Sequence, residues 1–172
     1  MPLSGWWWRA LAISIDGLIV SVLSGLLLLP IYLRLVRALA DYLGKAFAAA
    51  EAGRAAPPQP DVATLMSSSD QLVITLVGFA VQMVYIIGFL RWRSATPGKL
   101  IVGLRVVDVD RGRSAAKLTW SSVIARALVW VVPTLYPLLF LVRLVDIAMP
   151  LWNPKRQALH DVAAKTQVVK IR

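Results

Sequence analysis

The sequence has no cysteine and only one histidine, His160, among its 172 residues. The absence of cysteine excludes disulfide bonds, thiolate catalysis and cysteine-ligated metal sites. A catalytic zinc ion normally has three protein ligands, so a single histidine beside Asp161 does not indicate a metal site. A Ser/His/Asp triad would depend on the same histidine. We therefore expect no metal and no cofactor, and we predict that the chain is not an enzyme.

Acidic residues are scarce as well, with 9 Asp and Glu against 19 Lys and Arg, so the formal net charge is +10. In a soluble protein this charge would suggest nucleic acid, but no nucleic-acid-binding motif accompanies it. Hydrophobic residues make up 58% of the chain, whereas soluble domains are roughly 45–50% apolar. The composition predicts a membrane protein whose basic residues face a bilayer with anionic headgroups, and no nucleic-acid partner.

Long apolar runs agree with this prediction, because a helix needs about 20 mainly apolar residues to cross a bilayer. Residues 10–33 contain Asp16 as their only charge, and residues 72–90 contain no charge. The first run is longer than the core of a signal peptide and lacks an Ala-x-Ala cleavage site after it, so we expect it to be retained. Both runs are predicted to be transmembrane helices.

A third apolar region, 118–150, is interrupted by Pro133 and Pro137. Proline breaks a helix, so we predict two short segments, 118–132 and 135–150, that form a hairpin or a re-entrant pair. The predicted fold class is an all-α integral membrane protein, a single domain over residues 1–172. It has two full transmembrane helices, this broken third region and a small cytoplasmic β element.

The β element rests on two stretches that favour strands. The segment KLIVGLRVVDVDRGR is rich in β-forming residues over 101–109 and ends in the turn signal Asp110-Arg111-Gly112, and TQVVKIR covers 166–172. We predict that they pair into a small sheet beside the membrane. No internal repeat is evident in the sequence.

Positive charge is unevenly distributed between the apolar runs. The loop 91–117 contains seven Lys or Arg against two Asp, the tail 152–172 contains five against one, and the excursion 34–71 contains four residues of each sign. Cytoplasmic segments carry an excess of Lys and Arg. The charge therefore predicts a cytoplasmic loop, tail and N-terminus and an extracytoplasmic excursion. Candidates for contact with lipid headgroups are Arg91, Arg93 and Lys99.

Asp16 is the most unusual residue, because a carboxylate at membrane depth costs several kcal/mol unless it is paired or hydrated. Arg9 lies on the same helix face, but about 10 Å away along the axis. Arg126 and Arg143 are other possible partners, and together with Asp146 they would form a charge-balanced cluster that could line a polar cavity.

Of these partners we favour an arginine from 121–152, and three roles for Asp16 stay open. It could belong to a proton or cation path through the membrane. It could form a buried ion pair that fixes the register of the helices or docks a partner. It could also be a neutral carboxyl group that hydrogen-bonds to Ser14, Ser21 or the backbone.

Small residues adjoin Asp16 on the first helix. Gly17, Ser21 and Gly25 follow one another at intervals of four residues, which is the small-xxx-small pattern of closely packed transmembrane helices. This stripe predicts a helix partner near Asp16, either within the chain or from another protein.

These features resemble the RDD family of small, mainly bacterial membrane proteins, which is named for one arginine and two aspartates. Arg9 and Asp16 match the first two, Asp161 in ALHD is the best match to the second aspartate, and Asp146 is a weaker one. The resemblance covers about residues 6–169, and ATPGK and RQALHD are its most specific parts. It implies a helical protein of the bacterial inner membrane.

The chain departs from the family pattern at two positions near its end. Lys165 stands where the family usually has glycine, and Asn153 stands where an aspartate before proline is common. A role in transport is often proposed for the family, including cation/proton exchange, while other members resemble companions of larger membrane systems.

Two functions follow as hypotheses. The small size, the few intramembrane polar groups and the packing stripe favour an accessory or assembly subunit of a larger membrane complex or transport system. The alternative is a homo-oligomeric transporter of protons, cations or small solutes that uses Asp16. In the first case the partner is another membrane protein, and in the second it is a further copy of the chain. The bilayer is a partner in both.

Overall fold

The computed structural model of the chain describes residues 2–61, 65–109 and 117–171. Most of these residues are helical, and two apolar helices are long enough to cross a membrane: α1 (Trp6–Leu27) and α3 (Ser68–Arg93). Between them lies α2 (Leu29–Glu51). The predicted all-α membrane fold is thereby confirmed.

The two long helices differ from the predicted runs at their ends. The run 10–33 is divided at Leu28, where α1 ends and α2 begins with Pro30 in its first turn. Proline lacks the N–H that would continue the ladder of a preceding helix and is tolerated only near a helix start. At the other end, α3 begins at Ser68, because Ser67 and Asp70 cap it reciprocally: Asp70 Oδ2 accepts from Ser67 N and Ser67 Oγ accepts from Asp70 N.

The third apolar region is broken, as the prolines predict. It consists of α5 (Trp120–Val131), the 3-10 turns Val132–Thr134 and Pro137–Leu139, α6 (Phe140–Ala148) and a 3-10 turn over Met149–Leu151. Each proline occupies one of the first two positions of its turn. A helix needs about 20 residues to cross a bilayer, and both of these helices are much shorter.

The predicted strand pairing is confirmed. Strands β1 (Leu104–Asp108) and β2 (Thr166–Lys170) form a two-stranded antiparallel sheet in which Leu104 pairs with Lys170. The first strand starts later than predicted, because residues 97–101 form a short helix, α4 (Pro97–Ile101). The predicted turn at 110–112 lies outside the described residues.

The structure contains an internal repeat that the sequence does not show. A second five-residue helix, α7 (Leu159–Ala163), precedes β2 as α4 precedes β1. In each case two residues join helix and strand, and the second of them has a positive φ: +72° at Gly103 and +51° at Lys165. The sheet is thus built from two copies of one helix–turn–strand element.

The chain divides into two compact units. One comprises Met1–Val22 and Phe79–Arg172, and the other comprises Leu23–Gly78. The first unit contains the hydrophobic core, formed by Ala12, Leu90, Leu104, Val106, Leu118, Val123 and Val168. In the second unit, α2 has no buried residue.

Candidate functional site

Asp161 is the centre of a fully buried polar cluster in the first unit. Its Oδ2 accepts from Arg9 Nη1 at 2.7 Å and from the backbone N of Ala158 at 3.0 Å, and its Oδ1 accepts from Arg126 Nη1. Arg126 Nη1 also donates to Thr166 Oγ1 at 2.5 Å. Asp161 therefore joins α1, α5 and the start of β2.

The charge on Asp161 is stabilised by its neighbours. Burial alone would raise the pKa of Asp161, but the nearby Arg126, His160 and Arg9 and the N–H of Ala158 outweigh it and hold the pKa well below its usual range. Asp161 is the third residue of α7, and its bond to Ala158 N caps the start of that helix.

Asp16 is held by the ATPGK segment. Its Oδ1 accepts from Tyr85 Oη at 2.7 Å and from the backbone N of Gly98 at 2.7 Å, and its Oδ2 accepts from Thr96 Oγ1 at 2.5 Å. Lys99 Nζ lies 3.8 Å from the same Oδ2. The expected partner, an arginine from 121–152, is therefore wrong: hydroxyl groups, a helix N–H and a lysine satisfy Asp16.

Of the alternative hydrogen bonds considered for Asp16, the one to the backbone is present, from Gly98 N, whereas Ser14 bonds elsewhere. Ser14 Oγ donates to the carbonyl of Ala10 at 3.1 Å, and the contacts of Asp16 come from α3 and α4. Close approach to α4 depends on Gly98, because a Cβ atom there would lie 2.8 Å from Asp16 Oδ1. The close contact with Asp16, which lies 82 residues earlier in the chain, therefore requires glycine at position 98.

Asp146 forms a third buried contact, with His160. Asp146 Oδ1 accepts from His160 N at 2.8 Å, and Asp146 Oδ2 lies 2.7 Å from His160 Nδ1. Burial and the nearby Arg126 lower the pKa of His160, against the opposing effects of Asp161 and Asp146. Sequence reasoning missed this contact. The only available signal was that both residues are ionisable and have apolar neighbours.

The four residues of the predicted cluster, Asp16, Arg126, Arg143 and Asp146, line the same cavity but bind different partners. Arg126 binds Asp161, and the guanidinium of Arg143 lies 4.3 Å from the ring centre of Trp130. The ring of Trp130 in turn meets His160 edge to face.

The repeated elements are anchored in the same way. The N–H of the second residue of α4, Gly98, donates to Asp16, and the N–H of the second residue of α7, His160, donates to Asp146. Carboxylates are favourable at a helix N-terminus, where the first N–H groups lack partners within the helix. Each aspartate comes from an apolar helix and fixes one short helix next to it.

A cavity of about 170 Å³ separates these anchors. Its wall is apolar at Ile13, Ile86 and Ile147 and carries cationic and acidic groups elsewhere. The titratable residues that line it are Arg9, Asp16, Tyr85, Lys99, Arg126, Arg143, Asp146 and His160. Burial lowers the pKa of Lys99 to about 8, although the nearby Asp16 opposes this effect. In the described part of the chain, no group of three His, Asp or Glu could hold a metal ion.

The remaining predicted site residues are the small-residue stripe, of which Gly17 lines the cavity, and the headgroup candidates. The small-residue stripe is open, since a Cβ atom at Gly17 or Gly25 would meet no described atom within 4 Å outside its own helix and chain neighbours. Of the headgroup candidates, Arg91 stacks on Trp120 and Arg93 stacks on the exposed Trp92.

The comparisons with known proteins agree with this arrangement. The model of the RDD family matches residues 3–165, a range that includes Arg9, Asp16 and Asp161. The "Uncharacterized membrane protein YteJ" of Bacillus subtilis (strain 168) is 28% identical over 166 residues, which are 96% of this chain and 80% of that protein. No solved structure matches the chain. The chain is a membrane protein that belongs to the RDD family.

Proposed function

We propose that this protein is an accessory or assembly subunit of a larger membrane complex or transport system in the bacterial inner membrane. It crosses the membrane more than once and has both termini in the cytoplasm. The proposal rests on the contacts of the three charged residues that match the RDD family. Arg9, Asp16 and Asp161 all bind partners within the chain and hold α4, α7 and the sheet to the apolar helices.

The small number of spanning helices supports the same proposal. Only two helices in the described part of the chain have the length and composition to cross a membrane, and two helices hardly enclose a path for an ion. The open stripe at Gly17 and Gly25 offers a close-packing surface to a helix from another protein.

The alternative, a homo-oligomeric transporter of protons, cations or small solutes, is favoured by one observation. Asp16 lines the cavity, with its side chain 15% exposed. On this hypothesis, Asp16→Asn abolishes flux in liposomes. On the proposed function, the same change only weakens assembly.

The deciding experiment is the mass and composition of the particle that a tagged copy forms in native membranes, extracted in mild detergent. We expect a heteromeric complex of fixed stoichiometry. Gly25→Leu should release the tagged chain from this complex, because the added side chain fills the stripe. Gly88→Leu is the matched control, since Gly88 is also an open glycine within a spanning helix. A particle that contains only this chain would overturn the proposal and favour the transporter.

A further inference from the structure

The cavity of the first unit carries more cationic groups than its carboxylates can neutralise. Arg9, Lys99, Arg126 and Arg143 line it. Among the described residues, the carboxylates that face or contact these groups are Asp16, Asp146 and Asp161. With His160 neutral, four positive charges meet three negative charges, and the excess lies in a largely apolar enclosure.

The buried side-chain atoms of the cavity that lack a hydrogen-bond partner among the described residues are donors. Arg126 is 3% exposed, and its Nη2 is buried without a hydrogen-bond partner among the described residues. The Nε of Arg9, which is 7% exposed, is in the same state. A buried, unpaired donor on a charged group is costly, so these two guanidinium groups are incompletely satisfied by the chain itself.

The two carboxylates in the cavity wall already accept hydrogen bonds from the chain. Asp16 accepts from Tyr85, Thr96 and Gly98, and Asp146 accepts from His160. A cation entering the cavity would therefore compete with existing donors. An anion would supply acceptors to Arg126 Nη2 and Arg9 Nε and would neutralise the excess positive charge.

We propose that this cavity binds a phosphate group, with Arg126, Arg9, Lys99 and Arg143 as the cationic residues around it. Guanidinium groups match the oxygens of phosphate in charge and geometry. The apolar wall at Ile13, Ile86 and Ile147 fits an acyl chain or another apolar portion joined to the phosphate. Both an anionic phospholipid and free phosphate carry the required group, and the experiment distinguishes them.

The test uses the full-length protein in a neutral detergent. Retention of phosphatidylglycerol is compared with that of phosphatidylcholine by native mass spectrometry, and binding of inorganic phosphate is measured by titration calorimetry. We expect one phosphate-bearing ligand per chain. Arg143→Gln and Lys99→Met should each weaken its binding about tenfold or more, the effect of losing one charge-assisted contact.

Lys155→Gln is the control. Lys155 is an exposed basic residue of the same unit and does not line the cavity. Its loss should leave binding unchanged. Arg126 is avoided as a variant because it also holds Asp161. Lys99→Met provides a second readout if Arg143→Gln fails to fold, as judged by its melting curve.

Each outcome of the test either identifies the ligand or overturns the proposal. Selective retention of phosphatidylglycerol that depends on Arg143 and Lys99 identifies a lipid headgroup. Binding of inorganic phosphate with the same dependence, without selective lipid retention, identifies free phosphate. Equal retention of both lipids without phosphate binding would overturn the proposal. Equal weakening by all three variants would do so too, because it would indicate general attraction to basic residues.

Discussion

Gly98 is the residue at which one methyl group would disturb the anchoring of Asp16. A Cβ atom there would approach Asp16 Oδ1 to 2.8 Å and would also collide with the backbone carbonyl of Ala12. Because backbone cannot move aside as a flexible side chain can, we expect Gly98→Ala to lower the free energy of unfolding by about 1–3 kcal/mol. Thermal melting in detergent measures the change.

The control for this variant is Gly88→Ala, at a helical glycine whose added methyl group meets no other atom within 4 Å. Alanine is the better helix former, so this variant should melt at the same temperature as the native protein or higher. Equal melting temperatures for Gly98→Ala and the native protein would show that α4 does not sit tightly against Asp16.

Lys165 is strained where the family usually has glycine. Its φ is +51°, in the left-handed region, which costs a residue with a Cβ atom about 1–2 kcal/mol. Lys165→Gly should therefore raise the melting temperature, by roughly 1 kcal/mol of stability after the entropy cost of glycine is subtracted. Lys165→Ala removes the same charge but keeps the Cβ atom, so it should give no gain. A gain of equal size in both variants would assign the effect to charge instead of backbone strain.

The partners of single residues were the least predictable part of the site. Arg9, Asp16 and Asp161 stand out in an apolar sequence, so the sequence alone indicates that they are important. The assignment of an arginine to Asp16 failed because it preferred a partner of opposite charge to neutral hydrogen-bond donors. The actual partners are hydroxyl groups and one backbone N–H, and every segment of a chain offers such donors. Only the fold selects which of them meet the carboxylate.

At the scale of elements, α7 is held by a contact that depends on pH. His160 is the chain's only histidine, and burial lowers its pKa in the folded protein. The unfolded chain has the ordinary value of about 6.5, so it binds more protons than the folded chain as the pH falls through this range. Stability should therefore be greatest above about pH 6.5 and should decrease below it.

Thermal melting between about pH 7.5 and pH 5.5 measures this effect, because the ordinary pKa values of Asp and Glu lie near 4. In His160→Gln, whose amide can still donate to Asp146, the melting temperature should change much less over the same interval. A native protein that melts at the same temperature at both pH values would contradict a buried, neutral histidine.

Sequence reasoning about elements succeeded where composition is decisive. Two prolines in the third apolar region broke it as expected, and β-branched residues formed β1 and β2. It failed at α4, whose last residue, Ile101, was assigned to a strand. Thr96 and Pro97 gave the better signal, since proline is favoured at the first position of a helix. The repeat of helix, turn and strand could not be recognised from the sequence. Gly98 and His160 both use their backbone N–H, and their side chains are chemically unrelated.

At the scale of the whole molecule, strand pairing constrains the membrane topology. Strands β1 and β2 hydrogen-bond along their length, so the segments that contain them must lie on the same side of the membrane. The broken third region is what allows this, because a single spanning helix between the strands would separate them. Both flanking segments are also the basic ones, so the distribution of charge predicts that this side is the cytoplasm.

Because the chain has no cysteine, single cysteines test this topology without background. Lys117→Cys and Lys155→Cys replace exposed residues near the two ends of the third region, and Arg54→Cys replaces an exposed residue of the excursion. A membrane-impermeant maleimide should label positions 117 and 155 only in inside-out vesicles, and position 54 in intact spheroplasts. Labelling of 117 and 155 from opposite sides would be incompatible with the sheet. Labelling of both from outside would preserve the sheet but invert the topology that the charges predict.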